Sequence, residues 1–341
     1  MTEPLTLALR RLAAQQELTA DETAAALGML MSGAASPAQA AGFLLGLRIR
    51  GETPAEVAGA ARAIREVMVP VAYPAPGRLV DTCGTGGGRV TTINLSTAAA
   101  FVVAAAGVPV AKHGNRSHTS RSGSADVLEA LAIRLDLPPG RSGELLETAG
   151  LAFLFAPAHH PAMRHLAPVR RDLGVPTVMN LLGPLANPAG VRRQVVGVAD
   201  AARAPVIAGA LHLLGTTHAL VVHAEVGMDE ISPAGMTRVW EVREDGVEAW
   251  EFDPSRHGLD AGLDGLEGGT PGENARRIER LFEGRGQPAL RAAVLLNAAA
   301  AVYVAEDGGD WDDAVGRVAR ALDEGHARGK LEELRRLSTS G

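Results

Sequence analysis

The chain has 341 residues, 46% of them apolar, 3% aromatic and 40 of them glycine, so it can bury one large core or two modest ones made of Ala, Val and Leu. A formal net charge of −6 argues against a nucleic-acid-binding surface but leaves room for a local positive pocket. The single cysteine, Cys83, excludes an internal disulfide framework and a multi-cysteine metal site.

Residues 1–70 read as helical, with well-marked starts. Thr19 with Glu22, Ser36 with Gln39 and Thr53 with Glu56 each fit the capping box, in which two side chains satisfy the exposed N–H groups of a helix start. Pro37 and Pro54 take the first helical position, where a missing N–H costs nothing, and Gly51 stops the helix before it. Three capped helices without a strand candidate make a small helical domain. The stretch from Pro70 through Pro74, Pro76 and Gly77 is a stiff connector, which places a boundary near residue 75. The N-terminus lacks a signal-peptide pattern, and the apolar stretches Ala98–Ala111 and Ala298–Ala305 are short for a membrane span. A soluble, cytoplasmic protein with no membrane partner is expected.

Beyond the connector the pattern alternates between strand and helix. Strands are expected at Arg78–Thr82, Val108–Ala111, Ala152–Phe155, Val195–Val198 and Ala219–His223, which predicts a mostly parallel sheet covered by helices. Thr237–Val242 and Val247–Phe252, joined through Asp245-Gly246, predict an antiparallel hairpin added to that sheet. Gly174–Gly190 is rich in Gly, Pro and Asn and reads as a crossover between two domains, while residues 291–305 and 311–337 read as closing helices. The expected fold class is therefore α/β: a helical domain over 1–75, joined by part of 170–190, and a larger α/β domain over 76–341.

The most informative segment is 81–97, DTCGTGGGRVTTINLST. An apolar strand enters a loop with Gly84, Gly86, Gly87 and Gly88, and Asn94, Ser96 and Thr97 then lead into an apolar helix expected to begin near Ala98. Glycines let a backbone approach an anion closely, and the helix start adds N–H groups and partial positive charge. A plain glycine turn would explain this loop alone, since it matches neither G-x-G-x-x-G nor the P-loop pattern. The following unit closes on KHGNRSHTSRSGSAD at 112–126, with Lys112, Arg116, Arg121 and many hydroxyls. Two anion-friendly loops on consecutive crossovers point to a ligand with more than one phosphate group.

A third segment, HAEVGMDEIS at 223–232, puts Asp229 and Glu230 just past the carboxyl end of an apolar strand, where ligands bind open α/β sheets. Alone, the pair reads as a solvated turn. Beside two phosphate-friendly loops it suits Mg²⁺, which is bound through one or two carboxylates plus phosphates and water. His159, His160 and His165 lack the H-E-x-x-H arrangement of a helical zinc site. Arg164, Arg170 and Arg171 are surface ion-pair candidates, or, where one faces a pocket, a clamp for a planar carboxylate.

Taken together, GTGG at 84–87, NLST at 94–97, KHGN at 112–115, SGSAD at 122–126, PVR at 168–170, NLLGPLANP at 180–188 and MDE at 228–230 resemble anthranilate phosphoribosyltransferase, in one order and along almost the whole chain. The resemblance implies transfer of a phosphoribosyl group from phosphoribosyl pyrophosphate (PRPP) to the amine of anthranilate, in tryptophan biosynthesis, by a Mg²⁺-dependent homodimer joined through its helical domain. It implies a PRPP site at Gly84, Gly87, Gly88, Thr92, Asn94, Leu95, Ser96, Thr97, Lys112, His113, Gly114, Asn115, Arg116, Ser117, His118, Thr119, Ser120 and Ser124. It implies anthranilate contacts at Gly84, Asn115 and Arg170, and metal ligands at Ser96, Asp229 and Glu230. The arylamine is neutral at pH 7, so no catalytic general base is assigned. After GTGG the family's usual Asp-Gly is replaced here by Gly88-Arg89. A pyrimidine nucleoside phosphorylase shares this architecture but carries a different glycine loop and an extra C-terminal domain. A non-enzymatic nucleic-acid-binding relative of the fold conflicts with the acidic balance and with the KHGN, Arg170 and Asp-Glu features. Association with a glutamine amidotransferase partner stays open.

Overall fold

The computed structural model describes residues 3–88, 90–117 and 121–339. Arg89 and three members of the expected PRPP site, His118, Thr119 and Ser120, lie outside the described residues.

Four helices come first: α1 (Pro4–Ala13), α2 (Ala20–Met31), α3 (Pro37–Arg50) and α4 (Pro54–Val67). All three expected capping boxes form, with both reciprocal hydrogen bonds at Thr19/Glu22, Ser36/Gln39 and Thr53/Glu56. The uncapped α1 brings the helices to four where the sequence marks three starts. Glu56 does more than cap. Its buried carboxylate also accepts from Leu18 N (2.9 Å) and pairs with Arg50, tying the turn before α2 to α4.

The rest of the chain builds a seven-stranded sheet: β1 (Val80–Gly84), β2 (Val110–Gly114), β3 (Leu151–Phe155), β4 (Arg193–Gly197), β5 (His218–Ala224), β6 (Thr237–Arg243) and β7 (Gly246–Phe252). Its order is β3-β2-β1-β4-β5-β6-β7, with the first five strands parallel and β6 and β7 antiparallel, the added hairpin the sequence predicts. β1 starts two residues later than expected because Pro76–Arg78 form a 3-10 turn. Connecting and covering helices are α5 (Leu95–Ala105), α6 (Ser124–Ala130), α7 (Pro139–Ala149), α8 (Ala156–His159), α9 (Ala167–Leu173), α10 (Ala204–Leu213), α11 (Pro271–Phe282), α12 (Pro288–Ala305), α13 (Trp311–Asp323) and α14 (His326–Thr339). The closing segment 311–337 is two helices, broken at Gly325 with φ of +77°.

Strand alternation assigns the two faces of the sheet to two cores. Val195, Leu220, Val222 and Val239 face the core made with α5 and α12. Val196, Ala219, Val221 and Trp240 face the other, shared with α1–α4 and α10. Val178, Met179, Leu181, Leu182, Leu185 and Ala186 of the Gly-Pro-Asn stretch join this second core, and Arg65 Nε of α4 donates to Leu185 O at 2.7 Å. The α12 helix is apolar apart from Arg291 and Asn297 and, at 18 residues, longer than the stretch read from sequence. By length and composition it is enough to cross a membrane, yet it is buried on nearly every side as the central helix of the first core.

Candidate functional site

The carboxyl ends of β1, β2, β4 and β5 lie side by side, and the described residues of the expected site, Arg170 apart, fall in the last residues of these strands, on the loops that leave them or at the helix starts that follow. At the end of β1, Thr85 N donates to Gly197 O (2.9 Å) and Thr85 Oγ1 accepts from Ala199 N (3.2 Å), which fixes the loop against β4. Gly86 and Gly87 have φ of +67° and +83°, backbone that side chains rarely adopt. Gly84 and Gly88 are small for another reason. A Cβ at Gly84 would lie 3.3 Å from Asp229 Oδ2, and one at Gly88 would lie 3.1 Å from Asp229 Oδ1. Gly84 and Gly88 therefore face the expected metal carboxylate.

The α5 helix begins at Leu95, three residues earlier than expected, with Asn94 at its N-cap position. Leu95 and Thr97 point into the core, whereas Ser96 is half-buried beside the carboxylates. Ser96, Asp229 and Glu230 line one small pocket with Thr82, Cys83, Gly197 and Asn297. Lys112, only 3% exposed, donates from Nζ to Thr82 O and to Ser96 Oγ (3.2 Å). Burial lowers the Lys112 ammonium pKa, opposed chiefly by the charge of Asp81. Burial raises the Cys83 thiol well above its usual range, so it serves as a small side chain and not as a thiolate.

Asp229 and Glu230 are half-buried and form no ion pair with a described Lys or Arg; Glu230 Oε2 accepts from Thr92 Oγ1 at 3.0 Å. Burial raises both acids, and the Asp229 charge raises Glu230 further; Thr92 and Lys112 oppose that rise only in part. A half-buried acidic pair beside a serine hydroxyl offers hard oxygen donors for a small divalent cation. Among the described residues no group of three His, Cys, Asp or Glu stands ready for a metal, so phosphate and water would complete the shell. The residues present fit Mg²⁺ held jointly with a phosphorylated substrate.

The β2 loop is tightly folded. A Cβ at Gly114 would lie 2.3 Å from Ser124 Oγ, and Ser124 Oγ donates to Asn115 O at 3.2 Å. Ser117 N donates to Asp126 Oδ2 (3.2 Å). Arg116 is not a bare phosphate cation here: it pairs with Asp126 and Glu129 and lies over the Phe155 ring at 5.6 Å. His113 is buried. Its Nδ1 lies 3.1 Å from Gly183 O and its Nε2 lies 3.2 Å from His160 Nε2. Burial, and then the neighbouring imidazole, lower His113 to about 3, and burial lowers His160 to about 4, so both are neutral at pH 7. Arg170, on α9, is half-buried, and its guanidinium makes no hydrogen bond or ion pair with a described residue. Arg164 contacts His165 (3.3 Å) and Arg171 is exposed.

The sequence reading missed Asn297. It is the one buried polar residue of α12, 4% exposed, and its amide closes both backbone groups of Ile231: Oδ1 accepts from Ile231 N (3.1 Å) and Nδ2 donates to Ile231 O (2.9 Å). That grip sits directly after Glu230. A lone asparagine in an apolar helical run was the available signal.

Residues 76–328 match the model of the glycosyl transferase family a/b domain, and residues 6–68 match the helical bundle domain of the same family. Anthranilate phosphoribosyltransferase of Thermomicrobium roseum is 48% identical over 336 residues, covering 97% of this chain and 96% of that one. The crystal structure of anthranilate phosphoribosyltransferase from Thermus thermophilus superposes with a TM-score of 0.92 at 44% identity, over 98% of this chain and 99% of that one. The Saccharomyces cerevisiae enzyme in complex with PRPP and Mg superposes with a TM-score of 0.90 at 27% identity, over 99% and 98% of the two chains. The same yeast enzyme in complex with 4-fluoroanthranilate gives 0.88 at 26% identity, over 99% and 98%. A relative this similar over nearly the full length of both proteins, with a matching fold, establishes that the chain belongs to the anthranilate phosphoribosyltransferases.

Proposed function

We propose that the cleft at the carboxyl ends of β1, β2, β4 and β5 transfers the phosphoribosyl group of PRPP to anthranilate, giving N-(5-phosphoribosyl)anthranilate and pyrophosphate. The observation that carries this is the pocket shared by Ser96, Asp229 and Glu230, with Gly84 and Gly88 of the glycine loop set against Asp229 and Lys112 hydrogen-bonded to Ser96. The anthranilate nitrogen attacks C1′ while the C1′–O bond to pyrophosphate breaks, so negative charge grows on the leaving group. Lys112 and the N–H groups of the glycine loop and α5 start stabilise that charge from fixed positions. Mg²⁺, held by Ser96, Asp229 and Glu230, supplies further positive charge to the pyrophosphate when bound. Asn115 and Arg170 orient anthranilate, and orientation alone is worth several kcal/mol. The arylamine is neutral at pH 7, so no general base is assigned.

The two regions, 1–75 with part of 170–190 and 76–341, are read as helical and catalytic domains of a cytoplasmic homodimer. Leu7 and Ile49, 44% and 71% exposed on α1 and α3, support pairing through the helical part. The test of the activity is loss of anthranilate fluorescence. It should occur only with PRPP and Mg²⁺ both present, and absence of turnover across a magnesium series would overturn the reading.

Arg170→Ala is expected to raise the anthranilate KM about ten- to a hundredfold, from the roughly 1.5–3 kcal/mol of a hydrogen bond to a charged group. Burial lowers its pKa, yet a guanidinium stays cationic at neutral pH. A raised PRPP KM with an unchanged anthranilate KM would move Arg170 to the phosphate side.

Gly88→Asp would bring a carboxylate against Asp229 Oδ1, since the added Cβ already lies 3.1 Å from it. Like charges about 4 Å apart repel by on the order of 1 kcal/mol even in water. The PRPP KM is expected to rise roughly fivefold at limiting Mg²⁺ and to recover at saturation. A flat response across the titration would show that a carboxylate here leaves metal dependence untouched.

A further inference from the structure

We infer that Asn274, on α11, is a positioning residue for PRPP, acting through Asn94; the inference rests on the proposed PRPP site. Asn274 is 1% exposed. Its Oδ1 accepts from Gly269 N (2.8 Å), and its Nδ2 donates to Asn94 Oδ1 (3.0 Å). Asn94 is fixed from a second side, where Ser122 Oγ donates to its Oδ1 and its Nδ2 donates to Ser122 O, both at 3.2 Å. With its oxygen accepting two hydrogen bonds and its nitrogen donating one, the Asn94 amide has one orientation.

The backbone around this contact is tied in the same sense. Residues 266–268, which precede α11, run antiparallel to 91–93. Ile93 N donates to Leu266 O (2.8 Å), Gly268 N donates to Thr91 O (2.9 Å), and Thr92 bridges Glu267. A Cβ at Gly268 would lie 2.5 Å from Thr92 O, so the approach requires glycine. Thr92 in turn holds Glu230. A segment about 175 residues downstream in the chain thus sets the loop between the glycine cluster and α5, and Asn274 ties it to the Asn94 side chain by a hydrogen bond. Buried amide pairs of this kind lose function when one donor is replaced by an acceptor, because the partner must turn over or face like charge.

The test separates packing from positioning by changing the donor alone. Asn274→Asp keeps an acceptor for Gly269 N and puts negative charge in the first turns of a helix, where it is tolerated. It also removes the donor to Asn94. The expected result is a PRPP KM raised about tenfold with an anthranilate KM unchanged. The defect should shrink relative to the parent as pH falls from about 8 to about 5.5, because the introduced carboxyl, once protonated, donates to Asn94 again. Asn274→Ala should raise the PRPP KM at every pH and lower Tm as well. Equal PRPP KM values in parent and both variants, or a loss confined to Tm, overturns the positioning role. A parent that turns over no PRPP overturns the functional reading itself, and the two failures are told apart by that one control.

Discussion

Asp229→Asn combined with Glu230→Gln is expected to make the protein more heat-stable in metal-free buffer while cutting turnover about a hundredfold or more at Mg²⁺ levels that saturate the parent. Both effects come from one cause. Burial is the main reason both acids are pushed above the ordinary carboxylate range, and at Glu230 the neighbouring Asp229 charge adds to it. An acid whose folded pKa exceeds its unfolded one favours the fold at low pH. That advantage is lost as pH climbs from the unfolded value, near 4, through the raised folded value. At pH 7 without a cation, the buried acidic pair therefore weakens the fold, and the neutral amides remove that cost. Melting curves from about pH 4 to pH 8 measure it: the parent's Tm should fall as pH rises above about 4, and by more than the variant's. Parallel pH profiles would show that the two carboxylates are hydrated and not held in reserve for a ligand. Wild-type activity of the variant at limiting Mg²⁺ would reduce the pair to a solvated turn.

What could be read from the residues follows the range of the interactions. The three capping boxes depend on side chains three positions apart, and all three form. The strand candidates rest on apolar runs, and each overlaps a real strand; β1 and β2 both start two residues late, β1 because Pro76–Arg78 turn before it, and β2 runs on three residues past Ala111 to Gly114. The α5 start fell three residues early because Leu95, Ser96 and Thr97 are helical in fact, although their polar neighbours read as loop. Arg116 carries the residue type of a phosphate clamp, yet its partners Asp126 and Glu129 lie one turn into the next helix and take it up. The long-range contacts left no local mark. Asn297 grips Ile231 across 66 residues, and Asn274 reaches Asn94 across 180. Gly197 sits in VVGV, a run that describes a buried strand and nothing more.

Gly197→Ala is the second large effect expected, and it arises from that silent position. Gly197 is the last residue of β4, paired with Gly84 of β1 on one side and Val222 of β5 on the other. It is absent from the positive-φ glycines, so its backbone conformation suits alanine. Space does not. An added Cβ would fall 1.6 Å from Asp229 O and 2.7 Å from Asp229 C, and both are backbone atoms without a rotamer to change. Either β4 withdraws from its neighbours or the 225–230 loop is displaced outward. Strand pairing to β1 and β5 holds β4 in place, and Thr85 N and Val198 N anchor its end at 2.9 Å each, so the loop is the part that yields. Moving it carries Asp229 and Glu230 away from Ser96 and strains the Asn297 grip on Ile231. Overpacking of this kind costs about 1–3 kcal/mol of stability. The activity loss should be larger than that cost suggests, at least about tenfold in kcat/KM at limiting Mg²⁺, because positions in a metal site tolerate less than an ångström of error. Direct binding of Mn²⁺ in the presence of pyrophosphate, followed by its paramagnetic resonance signal, separates the two losses. A variant that is less stable but binds Mn²⁺ like the parent would show that β4 moved and the carboxylates did not.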